Sequence, residues 1–106
     1  MNRIFQAIVA LFVLATVATA AGGPSLEKGK ELFTSTSLGT NGRSCAGCHA
    51  NGKGLEEVAN YDEKSLSKII NQCIVKALDG KPLTVDSVEL SSLVMYVNSL
   101  GAAKAK

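Results

Sequence analysis

The chain has one histidine, His49, in 106 residues. A single imidazole excludes bis-histidine metal ligation within the chain. If that imidazole is a ligand, no second histidine is present to act as acid or base. There is no tryptophan, and aromatic residues make up only 5% of the sequence. With lysines scattered rather than clustered, this is not the pattern of a nucleic-acid-binding surface. No stretch alternates apolar and polar residues as a half-buried strand would, and no internal repeat or domain boundary is visible. The three cysteines cannot all pair with one another.

What is present begins with a leader. Asn2-Arg3 is followed by a nearly unbroken apolar run from Ile4 to Val17, and Ala18-Thr19-Ala20 offers small residues for cleavage. This is the pattern of a secretory signal peptide over 1–20, leaving a domain over 21–106. The run is short for a membrane span, although an uncleaved anchor is the alternative. Loss of Arg3 lowers the formal net charge by one from +2. Export points to the periplasm, where an odd free thiol invites intermolecular disulfides and needs an explanation. A chain this small buries a modest core, and a bound prosthetic group would supply part of what is missing.

The cysteines supply that group. Cys45-Ala46-Gly47-Cys48-His49 has the spacing at which two thiols add to the two vinyl groups of a c-type haem. The adjacent histidine then reaches the iron as proximal ligand. Two other readings of the motif exist. A thioredoxin-like CxxC requires a βαβ context, which the pattern lacks. A zinc site could draw on Cys45, Cys48, His49 and Cys73, but Cys48 and His49 are adjacent in sequence and would have to share one metal.

The rest of the chain reads as helices and turns. Ser25 caps a first helix containing Leu26, Gly29, Lys30, Leu32 and Phe33, where Gly29 would let another helix cross closely. Ser35 to Ser44 is a loop, and Asn51-Gly52-Lys53-Gly54 is a turn. Leu55, Val58 and Tyr61 are candidate apolar anchors. From Leu66 to Leu78, apolar positions 66, 69, 70, 73, 74 and 77 form one helical stripe with Cys73 near its middle. Asp62 or Ser65 can cap this helix, Gly80 suits a left-handed C-terminal position, and Pro82 prevents continuation. Asp86 with Glu89 has capping-box spacing for a last helix. Leu90, Leu93, Val94, Val97 and Leu100 form its buried stripe, and Gly101 ends it.

On these residues the chain resembles the small class I cytochromes c. Gly29-Lys30-Glu31-Leu32-Phe33 is similar to their first helix, Cys45–His49 to their haem motif, and Leu93 to Leu100 with Tyr96 to their last helix. The resemblance implies an all-α, cytochrome c-like bundle of about four short helices wrapped around one covalently bound haem c, with the first and last helices crossing. It implies a monomeric electron carrier serving redox partner proteins, with no substrate chemistry of its own, no nucleic acid and no membrane span once the signal is removed. A middle segment, Ile70 to Ile74 with Asp79-Gly80-Lys81-Pro82-Leu83, Ser87 and Glu89, is similar to the haem domains of thiosulfate dehydrogenases, in which a cysteine is the distal ligand. Two departures stand out. Leu78 to Glu89 lacks the family's distal methionine. Ala50 to Asn60 lacks the proline whose carbonyl orients the proximal histidine.

The distal position therefore has few candidates. With Leu90 at zero, the stripe of the last helix centres near ~340° and Met95 falls near ~140°, so Met95 points away from the core. Cys73 is the other soft ligand. Its alternative use is as a small buried hydrophobe, and an open iron site is a third possibility. Thiolate ligation would stabilise ferric iron and lower the potential. Two functional alternatives to the carrier remain: the haem subunit of a thiosulfate-type oxidoreductase, and a cytochrome that binds or senses small gases. The carboxylates Glu56, Glu57, Asp62 and Glu63 read as a solvated face, and Lys53, Lys64, Lys68 and Lys76 are candidates for steering a partner.

Overall fold

The computed structural model describes residues 23–104, and within them the protein is all-helical with no strand. The signal sequence expected over 1–20 lies outside the described residues. Helix α1 spans Leu26–Thr34 and α2 is the single turn Cys45–Cys48. Two 3-10 turns follow, Ala50–Gly52 and Val58–Asn60. Helix α3 spans Glu63–Ala77 and α4 spans Val88–Lys104. No helix among the described residues is long and apolar enough to cross a membrane.

The crossing of α1 on α4 is the most extensive contact between helices. Gly29 makes it possible. A Cβ at that position would overlap the Ser92 carbonyl oxygen and lie 2.7 Å from Tyr96 Cβ. Phe33 meets Tyr96 edge to face, with ring centroids 5.3 Å apart and planes at 64°. Ser25 caps α1 by accepting from the Lys28 N–H at 3.0 Å, and its own N–H donates to the buried Ser92 hydroxyl at 3.1 Å. Phe33, Leu90, Leu93, Val94 and Val97 are buried at this crossing, at about 1.5–3 kcal/mol of transfer free energy for a fully buried side chain of this kind.

Several local expectations are corrected. Of the two caps expected for α3, Asp62 is the one used, accepting from the Ser65 N–H at 2.9 Å, so the helix begins at Glu63 rather than at Leu66. The left-handed residue after α3 is Asp79 (φ 56°), not Gly80. Gly80 is required for another reason: a Cβ there would overlap the Leu38 carbonyl and lie 2.9 Å from Ile74 Cγ2. The cap of α4 is Ser87, whose hydroxyl accepts from the Leu90 N–H at 3.1 Å, whereas Asp86 is left-handed (φ 67°) and precedes the cap. Gly101 does not end α4. The helix continues to Lys104, and Gly101 is the point of closest approach to the Leu55–Ala59 segment. Tyr61 is not an anchor; it is exposed, while Leu55 is buried.

The loop 35–44 does more than connect. It seals the C-terminal end of α3, whose last carbonyls have no partner within the helix. The Thr40 N–H donates to the Leu78 carbonyl (3.0 Å), Asn41 Nδ2 to the Ala77 carbonyl (3.0 Å), and Thr40 Oγ1 to the Asp79 carbonyl (2.8 Å). Gly39 allows this approach, since a Cβ there would overlap the Leu78 carbonyl. The chain leading into Cys45 is thereby fixed against the helix that carries Cys73. On the far side of α3, the Asn71 side chain holds the 78–87 segment by accepting from the Leu83 N–H (2.7 Å) and donating to the Leu83 carbonyl (3.0 Å).

Candidate functional site

The apolar face of α3 divides into two rows. Leu66, Ile70 and Ile74 are buried in the core, with Leu78 just beyond the helix end. Ile69, Cys73 and Ala77, spaced four apart, stand on the edge of a cleft. Cys73 is exposed, so the expectation that it sits in the middle of a buried stripe is corrected. Helix α4 packs on α3, and the outer row of the stripe lines the cleft.

The cleft holds about 690 Å³ of empty space, part of it open to solvent, and its wall is almost wholly apolar. Cys45, Cys48 and His49 line it from α2 and the residue after it, and Ile69, Ile70, Cys73 and Ala77 line it from α3. Phe33, Leu93 and Val97 of the helix crossing close its inner end. All three cysteines are free thiols. Burial pushes the Cys45 thiol above its ordinary value, and the neighbouring Cys73 and Cys48 add to the effect.

Local structure sets the motif's orientation. The Ser44 hydroxyl accepts from the Gly47 N–H (3.1 Å), capping the turn that carries both thiols. The His49 N–H donates to the Cys45 carbonyl (2.9 Å). The backbone then reverses through three left-handed residues, Asn51 (φ 56°), Gly52 (φ 82°) and Gly54 (φ 84°). This reversal brings the Lys53 carbonyl to 2.8 Å from His49 Nδ1. A carbonyl oxygen only accepts, so Nδ1 is the donor in this bond and Nε2 is the ring nitrogen left for another partner. The Lys53 carbonyl thus fills the place for which the sequence offers no proline. Sequence reasoning missed this partner, although the signal was the Asn-Gly-x-Gly turn beginning two residues after the histidine.

The remaining candidates fall elsewhere. Met95 is exposed and borders a separate surface depression with Tyr61, Glu63 and Asn98, away from the cleft. No residue from 79 to 92 lines the cleft. Among the described residues, no three His, Cys, Asp or Glu side chains converge closely enough to hold a metal ion, so the zinc arrangement is not assembled. With no strand among them, the thioredoxin-like context is missing too. Glu56, Glu57, Asp62 and Glu63 are exposed, as a solvated face requires. Compared with known proteins, the chain matches no family model, no curated protein and no solved structure.

Proposed function

We propose that the protein is an exported electron carrier holding one covalent haem c, working as a monomer in the periplasm with redox protein partners. The observation that carries this reading is the state of His49. Its Nδ1 donates to the Lys53 carbonyl, which leaves Nε2 as the ring nitrogen for a metal, and His49 lines an apolar cleft together with both motif thiols. An imidazole fixed in this tautomer is prepared for a metal. The donor set fits a haem: Cys45 and Cys48 supply the thioether sulfurs, His49 the proximal nitrogen, and the apolar wall excludes water. When bound, the haem supplies one-electron chemistry at iron. The chain's own contribution is to hold the ligands still, so that little structure changes between the two oxidation states.

For the distal side, Cys73 is the one soft ligand on the cleft wall besides the motif cysteines. We assign it that role ahead of Met95. Thiolate ligation gives the carrier a low potential. The same thiol, exposed at the cleft, is what favours the second reading, a haem subunit of a thiosulfate-type oxidoreductase.

The test is the absorption spectrum of the purified protein in alkaline pyridine, with haem retained on a denaturing gel. Covalent haem that is lost in a Cys45→Ala, Cys48→Ala double variant supports the reading. A colourless wild-type protein with three titratable thiols overturns it. Haem reduction by thiosulfate at a catalytic rate moves the assignment to the oxidoreductase. Rapid carbon monoxide binding to the ferrous protein moves it to a gas-binding cytochrome.

A further inference from the structure

We infer, resting on the reading of His49 as proximal ligand, that Glu56 acts as a positioning residue that tunes this ligand through the Lys53–Gly54 peptide group. The Lys53 carbonyl that accepts from His49 Nδ1 at 2.8 Å and the Gly54 N–H that donates to Glu56 Oε2 at 3.4 Å belong to one amide. Hydrogen bonds at the two ends of an amide polarise each other. Negative charge at the N–H end shifts electron density toward the carbonyl oxygen and makes it a stronger acceptor. The imidazole that donates to it is then richer at Nε2, and such a ligand favours the more oxidised iron. Glu56 therefore lowers the midpoint potential without touching the haem ligand.

The local fold makes this path specific to one carboxylate. Leu55 is buried and anchors the chain just after the Gly54 turn, leaving Glu56 exposed and folded back on the Gly54 N–H. Glu57 carries the same charge one residue later and borders the same surface depression, but makes no bond to that amide. The contact is long and exposed, so its influence is modest and grows as ionic strength falls.

The experiment compares haem-loaded wild type, Glu56→Gln and Glu57→Gln, two variants with the same change in charge. The readouts are the midpoint potential and the His49 Nδ1–H proton resonance of the ferrous protein. Glu56→Gln should raise the potential more than Glu57→Gln, with a difference that shrinks in high salt, and should alone move the Nδ1–H resonance upfield. Equal potential shifts in the two variants, or an unmoved Nδ1–H resonance in Glu56→Gln, overturn the inference and leave the haem reading intact. Wild-type protein without covalent haem overturns both.

Discussion

Replacing Gly54 tests the turn after His49 directly, because a backbone penalty and a contact with the His49 ring meet there. The residue sits at φ 84°, and an added Cβ would lie 3.4 Å from His49 Nδ1 and 3.6 Å from its Cε1. Alanine in a left-handed conformation costs about 1–2 kcal/mol. The ring contact is at ordinary van der Waals distance, so it adds no further cost to stability but sets a methyl group beside the 2.8 Å bond to Lys53. Gly54→Ala should therefore lose about 1–2 kcal/mol, or roughly 4–16 °C in Tm for a domain of this size. Two further variants divide the effect. Gly42 has φ 79° with nothing within 4 Å of an added methyl group, so Gly42→Ala carries the backbone penalty alone. Gly54→Asn keeps the contact with the ring but eases the backbone, since asparagine tolerates the left-handed region. Thermal melts report the backbone cost, and the His49 Nδ1–H resonance reports the ring. Gly42→Ala and Gly54→Ala should melt earlier, and only the two position-54 variants should shift the resonance. A Gly54→Ala protein as stable as wild type, or with an unmoved Nδ1–H, would refute the role given to this turn.

Three other substitutions or conditions probe the rest of the framework. Gly29→Ala should destabilise by about 1–3 kcal/mol in chemical denaturation, because the obstacle is the backbone oxygen of Ser92, which cannot rotate away. The comparison is Gly47→Ala, whose Cβ meets only Ser44 Oγ at 3.7 Å and which should stay within about 0.5 kcal/mol of wild type. Cys73→Ala should abolish a thiolate-type ferric electron paramagnetic resonance signal and raise the midpoint potential, and an unchanged spectrum would return Cys73 to an ordinary cleft residue. Asp62 is held below its ordinary value by the Ser65 hydroxyl and N–H, so its contribution to α3 is full above the unfolded carboxylate pKa near ~3.9. That contribution fades as pH falls through the lower folded value, and in Asp62→Asn the acid limb of the stability profile should be correspondingly flatter.

The parts of this fold that can be read from sequence are those set by local pattern. The α1–α4 crossing is visible because a glycine four residues before a phenylalanine, and a matching apolar stripe with Tyr96, are short-range signals. The haem-type motif is visible because its chemistry dictates the spacing. What the sequence hides depends on approach between distant segments. Gly80 and Gly101 both look like helix terminators, since glycine is the usual stop signal. Both are instead points where another backbone passes too close for a side chain. The cap at Ser87 loses out to Asp86 in the pattern because Asp86 completes the capping-box spacing, whereas the chain turns left-handed at Asp86 and begins the helix one residue later. The partner of His49 is a main-chain carbonyl, so its only trace in the sequence is the Asn-Gly-x-Gly turn that delivers it.

The placement of Cys73 shows how a correct periodicity can mislead about burial. Helical spacing groups 66, 69, 70, 73, 74 and 77 on one face, and a pattern cannot say how much of that face another helix covers. Here Leu66, Ile70 and Ile74 are buried in the core, whereas Ile69, Cys73 and Ala77 stand at the edge of the cleft. A folded chain gains nothing from holding an apolar row toward water, at about 25 cal/mol for each Å² left exposed. Yet the loop that seals the end of α3 and the Asn71 bridge to Leu83 hold α3 in this position from both sides. The result is a cleft whose largely apolar wall carries Cys45, Cys48, His49 and Cys73 together.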